Sequence, residues 1–441
     1  MAEFKLSIDW LSAHGGAAAL RETTGELAIH LDTKCLTRNE DVWSSTVRDT
    51  VLVSGYPLAL WLASSWWRLN FEPLPQFGVR PDVDWRMAHE LGAANQGYVW
   101  PRIILAADGE SMNIWAEPIT EPGQSIQYLY GLDRPQAVPL ANFQREVDGF
   151  IERVLARLQA RGHRDTELAE LWALIQEERV EPDARRYRTL EAQFGYDPDD
   201  CPEGMLDEAL RLQQRTGVVA MSELAPVFGR SSGKASGVSD IASLAEQKGV
   251  EGQPSISAED FMPTSPTQKP WERGIEQARQ LRQALVNKEQ PINNLELYEL
   301  LGITEKQLDD WSPAERSQAA IAERVKGKGL RYMPRKRHPV ARRFELARLI
   351  GEVMSRSADD ENWLVSTDIA TAMQKRQRAF AAEFLCPIDS LLEYLEGDYS
   401  ENAFEGAANH FDVSEKTIES LLANHGYLSS VSHEPKLPYF F

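Results

Sequence analysis

The sequence predicts an α+β protein that is mostly α, and three observations carry that reading. β-prone runs are concentrated in the first third of the chain, apolar residues recur at three-to-four-residue spacing through most of the rest, and a Gly, Ser and Pro rich stretch separates two helical regions. With 441 residues, 42% of them hydrophobic and 26% charged, the composition is globular and the length allows two or three cores.

In chain order, "ELAIHLD" reads as a strand, and "RIILAADGESMNIWAEP" as a hairpin turning at Asp108-Gly109. Between them "PLALWLASSWWRLNFEP" has a helix-length apolar pattern bounded by Pro57 and Pro73. Trp61, Trp66 and Trp67 have faces on which a base or sugar can stack, but large rings at helical spacing are read here as core. Nine of the twelve tryptophans precede residue 173, so residues 1–135 are expected to form a Trp-rich α+β domain. From "VPLANFQREVDGFIERVLARLQARG" onward the pattern is helical, and residues 136–228 are expected to be a helical extension. "GRSSGKASGVSD" and "EGQPSISAEDFMPTSPTQKP" mark 229–270 as a flexible linker with a short helix at "IASLAEQKG". Residues 271–428 are expected to be a second, helical domain, with a break at Pro291, a helix closing on Gly302, another ended by Pro387, and a last pair around Val413-Ser414. Residues 429–441 are expected to be a tail.

A formal charge of −20 opposes non-specific attraction to nucleic acid or anionic membrane. No run approaches the ~18 apolar residues that span a bilayer, so no membrane partner is expected. The opening "MAEFKLSIDWLSAHGG" has no basic region followed by an apolar one, so a cytoplasmic location is expected. Cys35, Cys201 and Cys386 are far apart and without CxxC spacing, which argues against a disulfide framework or a thiolate zinc knuckle. GxGxxG and P-loop patterns are absent, and no cofactor is expected.

The decisive stretch is "RRFELARLIGEVM", Arg342 to Met354. Together with "ARQLRQAL…QPINNLELYELLGI" before it, and "FAAEFLCP" and "HFDVSEKTIESLLANHG" after it, it resembles the ImmA/IrrE family of zinc metallopeptidase-like proteins over about residues 272–428. The resemblance implies a zincin-like helical domain and a regulatory setting in mobile elements, stress response or antiphage defence in bacteria. In such a helix two His four residues apart hold Zn²⁺ on one face, and an adjacent Glu activates water. Laid on this sequence, the first His falls on Arg348, the Glu on Leu349, the second His on Glu352 and the acidic third ligand on Gln374. A fixed guanidinium stands where the cation belongs, and Leu349 cannot take a proton. The site is therefore read as disarmed, with no catalytic residue and no metal ligand. A bland reading of the same helix makes Phe344, Ala347, Ile350, Gly351 and Met354 a core face and Arg348–Glu352 an ordinary i,i+4 ion pair.

The sequence thus predicts a non-catalytic regulatory or interaction protein with a protein partner. Arg335, Lys336, Arg337, Arg342, Arg343 and Arg348 are candidates to bind an anion or the partner's carboxylates. One alternative is a zinc metallopeptidase with displaced ligands, His338, Glu345 and Glu352, although the two Glu stand two turns, roughly 10 Å, apart. Zinc enters only under that alternative. Another is a DNA-binding regulator using the basic run Arg324–Arg343, read mainly as a solvated loop, and the final helix pair. The similar-looking "HELGA" at His89 offers one imidazole and one carboxylate, so His89 is read as a core residue.

Overall fold

The computed structural model describes residues 2–75, 81–232, 237–285, 290–311, 317–325, 329–356 and 362–428. Half of the chain is helical and 16% is strand, an α+β protein that is mostly α. It divides between Leu206 and Asp207 into two compact units, each with its own apolar core.

The first unit opens with β1 (Phe4–Trp10), α1 (Ala18–Glu22), β2 (Thr24–Leu31), β3 (Lys34–Cys35), β4 (Asn39–Asp41), β5 (Thr46–Arg48) and β6 (Val51–Ser54). Helices α2 (Gly55–Ser64), α3 (Trp66–Phe71) and α4 (Val83–His89) follow, then β7 (Arg102–Ala107), β8 (Ser111–Glu117), β9 (Ile126–Tyr128) and β10 (Gln136–Pro139). It closes with α5 (Leu140–Ala160), α6 (Glu167–Val180) and α7 (Pro182–Gln193). All strand pairs are antiparallel: β2 pairs with β1, β3 and β6; β8 lies between β7 and β10; β4 lies between β5 and β9. The β7–β8 hairpin turns as the sequence predicts. Gly109 takes φ +96°, and the Asp108 carboxylate accepts from the amides of Glu110 and Ser111 at 3.1 and 2.8 Å. The Trp-rich stretch forms two helices, interrupted at Ser65, and Trp61, Trp66 and Trp67 are all buried.

The second unit is not purely helical, which corrects the reading of the C-terminal region. After α8 (Met205–Thr216), which begins at the boundary, come α9 (Val218–Phe228), α10 (Val238–Leu244), β11 (Val250–Gly252), α11 (Pro270–Ala284), α12 (Asn294–Leu301) and α13 (Glu305–Asp309). Next are β12 (Ala320–Arg324), β13 (Leu330–Met333), α14 (Pro339–Val353), β14 (Trp363–Ser366), α15 (Ala372–Leu385), α16 (Ile388–Leu395), α17 (Glu401–Phe411) and α18 (Glu415–Asn424). Four of these strands make an antiparallel sheet in the order β11-β13-β12-β14. Its strands are only three to five residues long, so their periodicity is too brief to register.

Two boundaries differ from the expected ones. The stretch 136–228 does not end with the first unit, since α9 belongs to the second. The stretch 229–270, read as a flexible linker, supplies β11, which pairs with β13 and buries Val250. Gly252 is what admits it: a Cβ there would stand 2.5 Å from both the Leu301 carbonyl oxygen and an Ile303 side-chain carbon. Gly and Ser signalled a linker, whereas here the glycine allows close backbone approach. The tail 429–441 lies outside the described residues.

Candidate functional site

The centre of the second unit is α14, which starts on Pro339 and is buried along nearly its whole length from Arg343 to Val353. Ala347, Ile350 and Met354 join the core, and Gly351 faces the Phe380 ring, where a Cβ would come within 2.9 Å. This part of the bland reading holds. The ion pair in it does not form.

Arg348, 3% exposed, turns away from Glu352 and donates from Nη2 to the Thr367 carbonyl at 2.6 Å and to Gln374 Oε1. Its nearest carboxylate, Asp368, is 3.9 Å away. Burial, then Arg378 and Arg335, pushes the guanidinium down to about 9, so it remains charged at neutral pH. Gln374 is held in turn: Oε1 accepts from the Thr367 amide at 2.9 Å, and Nε2 donates to Glu223 at 2.9 Å. Arg348 Nε, Ser366 Oγ, Thr367 Oγ1 and Gln377 Oε1 are buried without a hydrogen-bond partner among the described residues. The centre is therefore polar and only partly satisfied.

Glu352, fully buried, is clamped by Arg376 and by Arg356 Nε at 3.3 Å. Burial disfavours its charge, but Arg376 and Arg356 prevail and hold it below the ordinary carboxylate value. Leu349 packs in the core. Among the positions where the resemblance puts metal chemistry, the structure thus joins Arg348 to Gln374 and commits Glu352 to two arginines. This donor set does not fit zinc. Among the described residues no group of three or more His, Cys, Asp or Glu is placed to hold a metal ion.

Of the displaced ligands, Glu345 is likewise engaged and, among the described residues, His338 is not. Glu345 accepts from Arg335 Nε at 2.6 Å and from the Arg335 and Lys336 amides at 2.7 and 3.2 Å, while His338 is exposed at the entry to α14.

The basic run is not a solvated loop. Arg331 lies in β13, and Arg335, with a nearly buried side chain, forks onto Asp368 at 2.8 and 2.6 Å. Burial opposes the charge of Asp368, but Arg335 pulls its carboxyl down to about 2. Arg343 is buried against Asn294 Oδ1 at 2.8 Å and the Ile292 carbonyl. Lys336 is partly exposed, Arg337 is exposed, and half-buried Arg342 donates to the Leu308 carbonyl at 3.4 Å. Six candidate cations therefore do not form one surface. Lys326 and Lys328 lie outside the described residues. Helix α18, second of the final pair, presents Glu415 and Lys416 to solvent, with Glu419 half-buried, which is poorly suited to phosphates.

Sequence reasoning missed Glu223, Asp368, Arg356 and Arg376. Glu223 left a signal: it is a lone carboxylate in the apolar helix "VVAMSELAPVF", and a buried carboxylate needs partners. Thr371 Oγ1 donates to it at 2.7 Å. In the first unit His89 is a core residue, stacked on Trp85 at 4.1 Å and bonded to the Leu105 carbonyl at 2.8 Å and to Glu72 at 3.1 Å.

No family model, curated protein or solved structure matches the chain.

Proposed function

We propose that this chain is a non-catalytic regulatory or interaction protein whose second unit is a disarmed relative of zinc peptidases. The observation that supports the reading is the Arg348–Gln374 hydrogen bond, made between the positions where the resemblance puts the first and third ligands. A guanidinium bonded there repels a divalent cation, and Leu349 offers no base for water. What remains is a buried polar core suited to holding a shape for a protein partner. The setting, a bacterial or mobile-element switch in stress response or antiphage defence, is carried by the resemblance alone.

Metal analysis of the untagged full chain tests the reading, with less than one tenth of an equivalent of zinc, to order of magnitude, as the expected result. Stoichiometric zinc, or peptide cleavage lost on Glu352→Gln with folding intact, overturns it.

A further inference from the structure

The first unit has a polar cavity of about 440 Å³ where the loop after β1 passes over the C-terminal half of α5. Its lining includes Ser12, His14, Arg21, Glu22, Arg157 and Arg161. Three guanidiniums face one carboxylate, in a chain whose formal charge is −20.

The cluster is built rather than incidental. Arg157 and Arg161 lie one turn apart on α5, or just beyond its end, and so share a face. Arg157 donates from Nε to the Glu22 carbonyl at 3.0 Å, and its guanidinium lies 5.7 Å from the centre of the Trp10 ring. These contacts fix its plane and leave the Nη edge with no hydrogen-bond partner among the described residues. Arg21 holds Glu22 Oε1 at 3.0 Å and reaches the Gly16 carbonyl at 3.5 Å, and Arg161 Nε stands 3.7 Å from Glu22 Oε2. Glu22 thus spaces two arginines without neutralising all three. The loop above carries Gly15 and Gly16 at φ +82° and +76°, a conformation that bends the backbone around the cavity and disfavours bulkier residues.

We infer that this cavity binds a small, multiply charged phosphate compound, such as a diphosphate or nucleotide. Arginine forks match phosphate oxygens in geometry as well as charge, and an anion would relieve the repulsion among the three guanidiniums. The volume lies in the range of small-molecule sites. This inference is independent of the reading of the second unit.

Calorimetric titration of the full chain with pyrophosphate, ATP and malonate tests it, at low and moderate salt. Saturable submillimolar binding of pyrophosphate or ATP, weakened by salt, is expected. Arg161→Gln, at a half-exposed position, should weaken binding about tenfold, and Arg21→Gln/Arg161→Gln further, with the melting temperature of the free protein unchanged. Absence of saturable binding by both phosphates, equal affinity for malonate, or affinity unchanged in the double variant overturns the proposal.

Discussion

Two buried carboxyls show how differently one residue type behaves in two surroundings. Glu223 is pushed up to about 7 by burial and by the neighbouring Glu352, against the hydrogen bonds from Thr371 and Gln374. Its folded value lies above the unfolded one, so its contribution is full below about pH 4.5, falls as the pH rises, and is gone above about 7. Glu223→Gln keeps an oxygen to accept from Thr371 and removes the charge. It should raise stability at pH 8 by up to about 3 kcal/mol, with little effect at pH 4.5, measured by denaturant unfolding across pH. Glu352 is the opposite case: its arginines hold the folded value below the unfolded one, so its contribution is present above about pH 4.5 and fades as the pH falls. Glu352→Gln should cost about 3–5 kcal/mol at pH 7, because Arg356 and Arg376 lose a charged partner, and less in acid. A neutral result at pH 7 would show that the clamp adds nothing.

At the level of elements, the second unit depends on close backbone approach. Gly274 lets α11 lie against α15, where an added Cβ would stand 2.3 Å from the Arg376 carbonyl oxygen. Alanine improves helix propensity by about 1 kcal/mol, but overpacking against backbone costs about 1–3 kcal/mol. The clash should win, and Gly274→Ala should lower the melting temperature; a rise would show that the helices separate freely. The register of β11 on β13 is tested by hydrogen exchange. Amides within Val250–Gly252 should exchange far more slowly than an unstructured chain, whereas full exchange within seconds would restore the linker reading.

On the scale of the whole molecule, each unit has a core that meets the requirement for independent folding. The first gathers Phe4, Trp67, Ile114, Phe150 and Trp172, and the second Leu301, Tyr332, Ile350, Phe384 and Leu422. Fragments 1–202 and 203–441 should each unfold cooperatively by calorimetry. A fragment 229–441 should be weaker, because it lacks α9 and with it the Glu223 contacts to Thr371 and Gln374. Loss of a cooperative transition in fragment 203–441 would refute the division after Leu206.

The sequence by itself determined the mostly-α character, the hairpin at Asp108-Gly109, the burial of Trp61, Trp66 and Trp67 and the core face of α14. Each rests on local periodicity or turn chemistry that a short window contains. Where the resemblance puts His, Glu and His, the sequence carries Arg348, Leu349 and Glu352, whose side chains lack that chemistry. Tertiary structure decided which charges meet. Arg348 prefers Gln374 and the Thr367 carbonyl to the glutamate one turn away, Glu352 is taken by Arg356 and Arg376, and Glu223 arrives from a helix about 150 positions earlier. Such choices depend on which desolvated partners the packing brings within hydrogen-bond reach, and spacing along the chain carries no record of that.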